Sequence, residues 1–439
     1  MGLGLVTDLY ELRMAASYLR RGMTQPATFS LFARSLPPGR GFLVSAGLDD
    51  ALELLDGFAF EPADLDWLAE HGFDDDCLRA LRDLRFTGDV WAVPEGRLVL
   101  PDEPLLEITA PLPEAQLVET IVLNQLTYQT ALATKAARCA LATDGRAQLV
   151  DFSLRRTHGI EAGMTAARVG AIAGFTGTSN VEAARRYGLT PVGTMAHSYI
   201  ESFPTEREAF AAFAADYPDH TTLLVDTYDT LEGIAVALDV VDAAGLGDRF
   251  GIRLDSGDLL ALSIEARRML DAAGHGGAVI VASGGLDEHQ VQQLLDAGAP
   301  IDVFGVGTRI GVSADAPTLD TAYKLVEYDG RPAMKLSEGK VSRPGPKQVH
   351  RRGVISDDVL ATRAEPPPPG SEALLEPVMV DGATEAEGRG IGAAQERLSA
   401  DLAALPAELR QLDAQAPNPV RASHRLAALT REVVSALSG

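Results

Sequence analysis

Between residues 149 and 308 the chain repeats one pattern, a short apolar run that ends in polar or glycine-rich residues. In order these are LVDFSLRR (149–156), AGFTGTSN (173–180), PVGTMAHS (191–198), LLVDTYDT (223–230), GIRLDSGD (251–258), VIVASGG (279–285) and IDVFGVGT (301–308). Several are followed by a stretch with apolar positions at helical spacing. A continuously apolar strand is buried on both faces of a parallel sheet, and a polar ending leaves the sheet at one end, where ligands are met. The pattern predicts an irregular parallel α/β barrel with its site at the C-terminal mouth.

The flanking sequence reads differently. TDLYELRMAASYLRRG (7–22) is a helix with Thr7 or Asp8 as N-cap and Gly22 as stop. ATFSLFARSLP (27–37) alternates like a strand, and residues 46–84 hold two or three short helices. Residues 86–112 are rich in β-formers, proline and glycine and read as short antiparallel strands, and 112–143 reads as two helices. Beyond the barrel, YKLVEYDGRPAMKLS (323–337) reads as a hairpin turning at Asp329-Gly330. AEPPPPGS (364–371) is a stiff linker, and helices are expected near 391–415 and 420–437. The expected fold class is α/β, a barrel with a second α+β domain built from the N-terminal segment and part of the C-terminal segment. The boundaries are 1–130 for the N-terminal α+β domain and 131–320 for the barrel. A basic hairpin and loop (321–363) returns to the N-terminal domain, and 364–439 forms the linker and terminal helices.

Composition narrows the function. The 439 residues are 46% hydrophobic, enough for two domains with a large core. No apolar run is long enough to span a bilayer, and no signal peptide is evident at the start, so the expected location is cytoplasmic. A formal net charge of −24 repels nucleic acid and anionic lipid, and neither is expected as a partner. The two cysteines, Cys77 and Cys139, lack metal-ligand spacing. Only five lysines occur, and Lys324, Lys335, Lys340 and Lys347 share one 24-residue window. On so acidic a chain that cluster suits an anionic small molecule, unless it is a solvated loop.

The strand ends supply the candidate chemistry. FGVGT and VASGGLDEHQV offer glycine turns whose N–H groups can converge on phosphate oxygens, with Asp287 placed to cap a helix. Alternation places Arg253 and Asp255 on one face of GIRLDSGD, with Asp258 beyond. GTMAHS sets His197 after a Gly-Thr turn, where it is either structural or a reactive ring. DFSLRR offers Phe152 for stacking and Arg155 and Arg156 for anions.

Taken as a set, TDLYEL, FSLFARSLPPGRGFLVSAGL, GTSN, GTMAHS, LLVDTYDT, RLDSGD, FGVGT and KLSEGKVSRPGPKQ resemble the nicotinate phosphoribosyltransferase family, over residues 5 to about 352. LLVDTYDT lacks the adjacent acids and the glycine of the other large phosphoribosyltransferase class, so that fold is rejected. The resemblance implies formation of nicotinate mononucleotide and pyrophosphate from nicotinate and 5-phosphoribosyl 1-pyrophosphate. It also implies ATP as co-substrate, Mg²⁺, and a phosphohistidine at His197. Tyr10 would reach the neighbouring subunit's site in a homodimer with shared active sites, and Phe152 would be the opposite stacking face. Arg155, Thr178, Ser179, Thr194 and Arg253 would meet the base and ribose, and Asp255 the ribose hydroxyls. Ser283, Gly284, Gly285, Gly307 and Thr308 would cradle the 5′-phosphate, with Lys340 and Lys347 closing over phosphate groups. The metal ligands are unknown.

Ser179 stands where nicotinamide-using relatives carry Asp, which favours a carboxylate substrate. Ser153, where many members have Gly, and Arg13 depart from the pattern. Three alternatives stand beside this reading. One is a nicotinamide or quinolinate phosphoribosyltransferase, one a phosphate-gripping barrel flavin oxidoreductase, and one a non-catalytic NAD-sensing descendant.

Overall fold

The computed structural model describes residues 2–337, 342–385, 387–414 and 419–438. The chain divides into two compact units, residues 1–134 with 316–439, and residues 135–315.

The first unit is built on a seven-stranded antiparallel sheet in the order Arg331–Pro332, Thr321–Tyr328, Pro26–Ala33, Pro104–Pro111, Asp89–Ala92, Glu376–Val380, Ala383–Thr384. Pro26–Ala33 is buried from Ala27 onward because both of its edges and both of its faces are covered, and Phe29 stacks on Tyr323 at 4.8 Å. The hairpin at Asp329-Gly330 forms, with both residues at positive φ, but its second strand is only Arg331–Pro332. Three helices follow the first strands, Leu48–Asp56, Pro62–Glu70 and Asp75–Asp83. The tail contributes more than helices, since Glu376–Val380 pairs with Asp89–Ala92 and Arg421–Ala422 pairs with Asp358–Thr362. Its helices run Ile391–Ala404 and His424–Ser438.

The second unit is parallel. Its strands are β1 (Gln148–Asp151), β2 (Gly177–Thr178), β3 (Thr221–Leu224), β4 (Phe250–Leu254), β5 (Val279–Ala282) and β6 (Val303–Val306), ordered β2-β1-β6-β5-β4-β3. The first strand thus pairs with the last, as in a barrel. Among the described residues no ladder joins β2 to β3, so the expected barrel is open along one seam. The seam falls where PVGTMAHS was expected to be a strand. Only Pro191 bridges, to Thr178. Proline has no N–H to donate and Gly193 no side chain to pack, so the segment stays irregular until the helix His197–Glu201.

The two faces of this sheet differ. Leu223, Ile252, Leu254, Ile280, Ala282, Phe304 and Val306 are fully buried. They alternate with smaller inner residues such as Val150, Thr222, Gly251 and Val281. A cavity of about 980 Å³ runs along this inner side toward Phe152 and Thr194.

Candidate active site

Parallel register brings the strand ends level. Val306 pairs with Asp151, Asp151 with Thr178, Ala282 with Leu254, and Arg253 with Leu224. Arg253 lies on the inner face at that rim. Its Nε donates to Ser283 Oγ (2.8 Å), Nη1 to Thr194 Oγ1 (3.0 Å) and Nη2 to Asp255 Oδ1 (2.7 Å). Ser283 in turn donates to Asp255 Oδ1. Two strand ends and the irregular segment are therefore held by one planar guanidinium, whose fork suits several acceptors at once. Burial pushes the Asp255 carboxyl up. The Ser283 hydroxyl, the Arg253 guanidinium and the His197 ring together outweigh that and hold it below the usual carboxylate range.

Phe152 follows β1 and lies under the Arg253 guanidinium, 5.4 Å from its ring centroid. Room for the ring exists because residue 305 is glycine, and a Cβ there would sit 2.5 Å from Phe152. Asp151 organises this corner. Its carboxylate accepts from Ser153 N (2.9 Å) and Thr178 Oγ1 (2.7 Å), and burial pushes its pKa up. Thr178 was expected to touch substrate, but it is 1% exposed and its hydroxyl is turned to Asp151 and Asn180 N. It ties β1 to β2 instead. Ser179 beside it is exposed. Arg155 is exposed on a 3₁₀ turn and makes no hydrogen bond or ion pair among the described residues.

His197 opens the helix His197–Glu201, with its side chain 40% exposed. Nδ1 lies 3.1 Å from Thr227 Oγ1, and Nε2 faces Asp255 Oδ2 at 3.9 Å. In the tautomer whose Nδ1–H donates to Thr227 Oγ1, the Nε2 lone pair is available as a nucleophile. Asp226 buttresses the same corner. Its Oδ2 accepts from Asp255 N (2.9 Å) and Ser256 Oγ (2.6 Å), while its buried Oδ1 has no hydrogen-bond partner.

The glycine turns stand at the neighbouring ends of β5 and β6. Gly284 has φ +108°, and a Cβ there would meet the Asp255 carbonyl oxygen at 2.2 Å, so only glycine allows this approach. Asp287 caps the helix Glu288–Asp296, as expected, accepting from Gln290 N (3.1 Å). Its carboxylate therefore offsets the positive end of that helix. Gly307 and Thr308 begin the next turn, and Arg309 faces Asp287 at 3.7 Å.

The polar strand endings thus divide into two kinds. Arg253, Asp255, Ser283, Thr194 and His197 converge. Asn180, Asp229, Asp258 and Asp287 instead accept the first N–H groups of the following helices. Asp258, grouped with Arg253 and Asp255 in the sequence, is such a cap.

Other expected residues lie in the first unit. Tyr10 is 49% exposed on the helix Leu9–Arg20. Burial, then Glu119 and Glu11, push its phenol pKa up. Lys347 was expected to reach phosphate as a free amine. Instead it is 2% exposed, and its Nζ is held by Glu107 (2.9 Å) and the Gly345 carbonyl (2.9 Å), so a buried carboxylate already uses its charge. Lys340 lies outside the described residues. Asp151, Asp226 and Thr227 were not singled out by sequence. Their signal was the same polar strand ending, which does not say which side chains turn inward.

Comparison with known proteins gives the chain's relatives. A family model described as the nicotinate phosphoribosyltransferase (NAPRTase) N-terminal domain matches residues 5–127, and one for the nicotinate phosphoribosyltransferase (NAPRTase) family matches 147–343. The chain is 48% identical over 431 residues to nicotinate phosphoribosyltransferase pncB2 of Mycobacterium tuberculosis, covering 96% of this chain and 92% of that protein. It is 45% identical over 361 residues to the nicotinate phosphoribosyltransferase of Bacillus subtilis, covering 80% and 73%. The crystal structure of human nicotinic acid phosphoribosyltransferase superposes with a TM-score of 0.86 at 30% identity, covering 97% and 99%.

Proposed function

The chain belongs to the nicotinate phosphoribosyltransferase family of enzymes, and from that premise we propose that it forms nicotinate mononucleotide and pyrophosphate from nicotinate and 5-phosphoribosyl 1-pyrophosphate. ATP hydrolysis is coupled to this through a phosphoryl group on His197, and the reaction serves NAD biosynthesis by salvage. The observation that carries the reading is the Arg253 cluster, which joins Thr194, Asp255 and Ser283 beside two glycine turns.

The chemistry asks for this kind of site. The pyridine nitrogen lone pair forms the new bond to the ribosyl carbon, and the bond to pyrophosphate oxygen breaks with its electron pair leaving on pyrophosphate. No proton has to be removed, so the protein's task is positioning and charge stabilisation. Phe152 offers an aromatic face, and Arg253 with the uncommitted Arg155 offers cations for the nicotinate carboxylate. Asp255, held ionised, accepts ribose hydroxyls. The Ser283 N–H is given to the Leu254 carbonyl at 2.9 Å, so the turns at Gly284–Gly285 and Gly307–Thr308 offer their backbone N–H groups, and Ser283 its hydroxyl, to the 5′-phosphate.

Mg²⁺ suits the donor set. Asp226 Oδ1 is a buried carboxylate oxygen without a hydrogen-bond partner, and Asp255 adjoins it. Asp226 and Asp255 would hold the cation together with substrate phosphates. When bound, it would neutralise charge gathering on the departing pyrophosphate.

His197 Nε2 would attack the γ-phosphorus of ATP, with ADP as leaving group, and water would later release the phosphoryl group. Labelling with γ-labelled ATP tests this. Acid-labile, alkali-stable label is expected in the wild type and none in His197→Ala, which should retain slow ATP-independent transfer. Undiminished, acid-stable label in the variant would place the phosphoryl group on another residue.

A further inference from the structure

Behind the two glycine turns lies a buried charge cluster that the proposed reaction does not use. Lys135 Nζ is 2.6 Å from Glu288 Oε2, an ion pair outside good hydrogen-bond geometry, and 2.8 Å from Asp315 Oδ1. Arg138 Nε donates to the other Glu288 oxygen at 3.0 Å. The side chains of Lys135, Arg138 and Glu288 are 3%, 6% and 0% exposed. The formal charges balance, two cations against two carboxylates.

We propose that Lys135 is a positioning residue that fixes the separation of the two phosphate-binding turns. Glu288 is the first residue of the helix that leaves the Ser283–Asp287 turn. Asp315 follows the short helix Thr308–Gly311 that leaves the second turn. One ammonium therefore grips the chain behind both turns, while Arg309 and Asp287 face each other between them. An ammonium suits this task because its three rotatable N–H groups can address two carboxylates arriving outside one plane, whereas the guanidinium fork addresses acceptors that lie in its plane. Lys135 is also the one lysine outside the 324–347 window.

Stability alone does not account for such a cluster. Well-packed apolar side chains of similar volume often serve a core as well as buried ion pairs do. What a charged bridge adds is a defined distance, and displacing a binding group by about 1 Å can cost on the order of a hundredfold in rate. Arg138 supports the arrangement by holding the second Glu288 oxygen, so that Glu288 cannot rotate away from Lys135.

The inference rests on the reading of the turns as a phosphate cradle, and the experiment separates the two. Calorimetry measures binding of nicotinate mononucleotide and of its nucleoside, which lacks the phosphate. The proteins are wild type, Lys135→Met and Asp315→Asn, with melting recorded for each. Asp315 is 29% exposed, and its loss leaves Glu288 paired, so that variant keeps the test open if Lys135→Met does not fold. The expected result is a loss of about tenfold or more in nucleotide affinity in either folded variant, with nucleoside affinity within about twofold of wild type. Equal weakening of both ligands would reduce Lys135 to a support of the fold and overturn the proposal. So would unchanged nucleotide binding in folded Asp315→Asn. A wild type that binds nucleotide no more tightly than nucleoside would overturn the cradle itself, and this inference with it.

Discussion

At the scale of the residue, Asp255 shows what sequence could and could not convey. Period-two alternation placed it on one face with Arg253, and the Nη2–Oδ1 bond of 2.7 Å bears that out. Nothing in the sequence told that Asp226 supports its backbone or that Thr178 is spent on Asp151, because both facts depend on which strands become neighbours. Asp255 also makes a prediction about pH. Its folded pKa lies below the unfolded value, so its contribution is fully present above the ordinary carboxylate range and is lost as pH falls through the lower folded value. Asp255→Asn should therefore lower the melting temperature near neutral pH and flatten the acid limb of its pH profile. An acid limb as steep as that of the wild type would show that the carboxylate is not stabilised by its neighbours.

At the scale of the element, apolar runs with polar endings identified β1 and β3 to β6. They failed at 191–198, where composition looked strand-like but a proline and a glycine left the segment irregular, and reduced AGFTGTSN to the two-residue β2. The same endings mixed two roles, since a polar residue after a strand either enters the mouth or caps the next helix. The distinction can be measured. Asp258→Ala removes a cap and should cost about 1 kcal/mol of stability with kcat/KM little changed. Gly284→Ala forces a Cβ against the Asp255 carbonyl at φ +108°, and should cost about 1–3 kcal/mol and most of the affinity for the sugar donor. Denaturant unfolding alongside steady-state kinetics checks both. Activity lost with Asp258→Ala and kept with Gly284→Ala would reverse the assignment.

At the scale of the whole molecule, one unit carries the proposed chemistry and the other the helix with Tyr10. No helix among the described residues is long and apolar enough to cross a membrane. The chain's −24 charge still fits an anionic substrate, because the cations that matter are few and placed. Lysine clustering was a poorer guide, since proximity in sequence did not reveal that Lys347 neutralises a buried Glu107. Tyr10 is half-exposed, in keeping with the proposal that it serves the neighbouring subunit of a homodimer. Subunit exchange between Tyr10→Ala and His197→Ala proteins should restore ATP-stimulated activity that neither has alone, and a fully active monomer in light scattering would exclude shared sites. The central claim is that the Arg253 rim transfers a phosphoribosyl group to nicotinate, and the most direct measurement is the initial rate of mononucleotide formation with nicotinate and with nicotinamide, each with and without ATP. The predicted result is roughly a hundredfold or greater preference for nicotinate, because a charge-assisted pair to the carboxylate is lost with the amide, together with stimulation by ATP. Equal rates with the two bases, or rates indifferent to ATP, would contradict it.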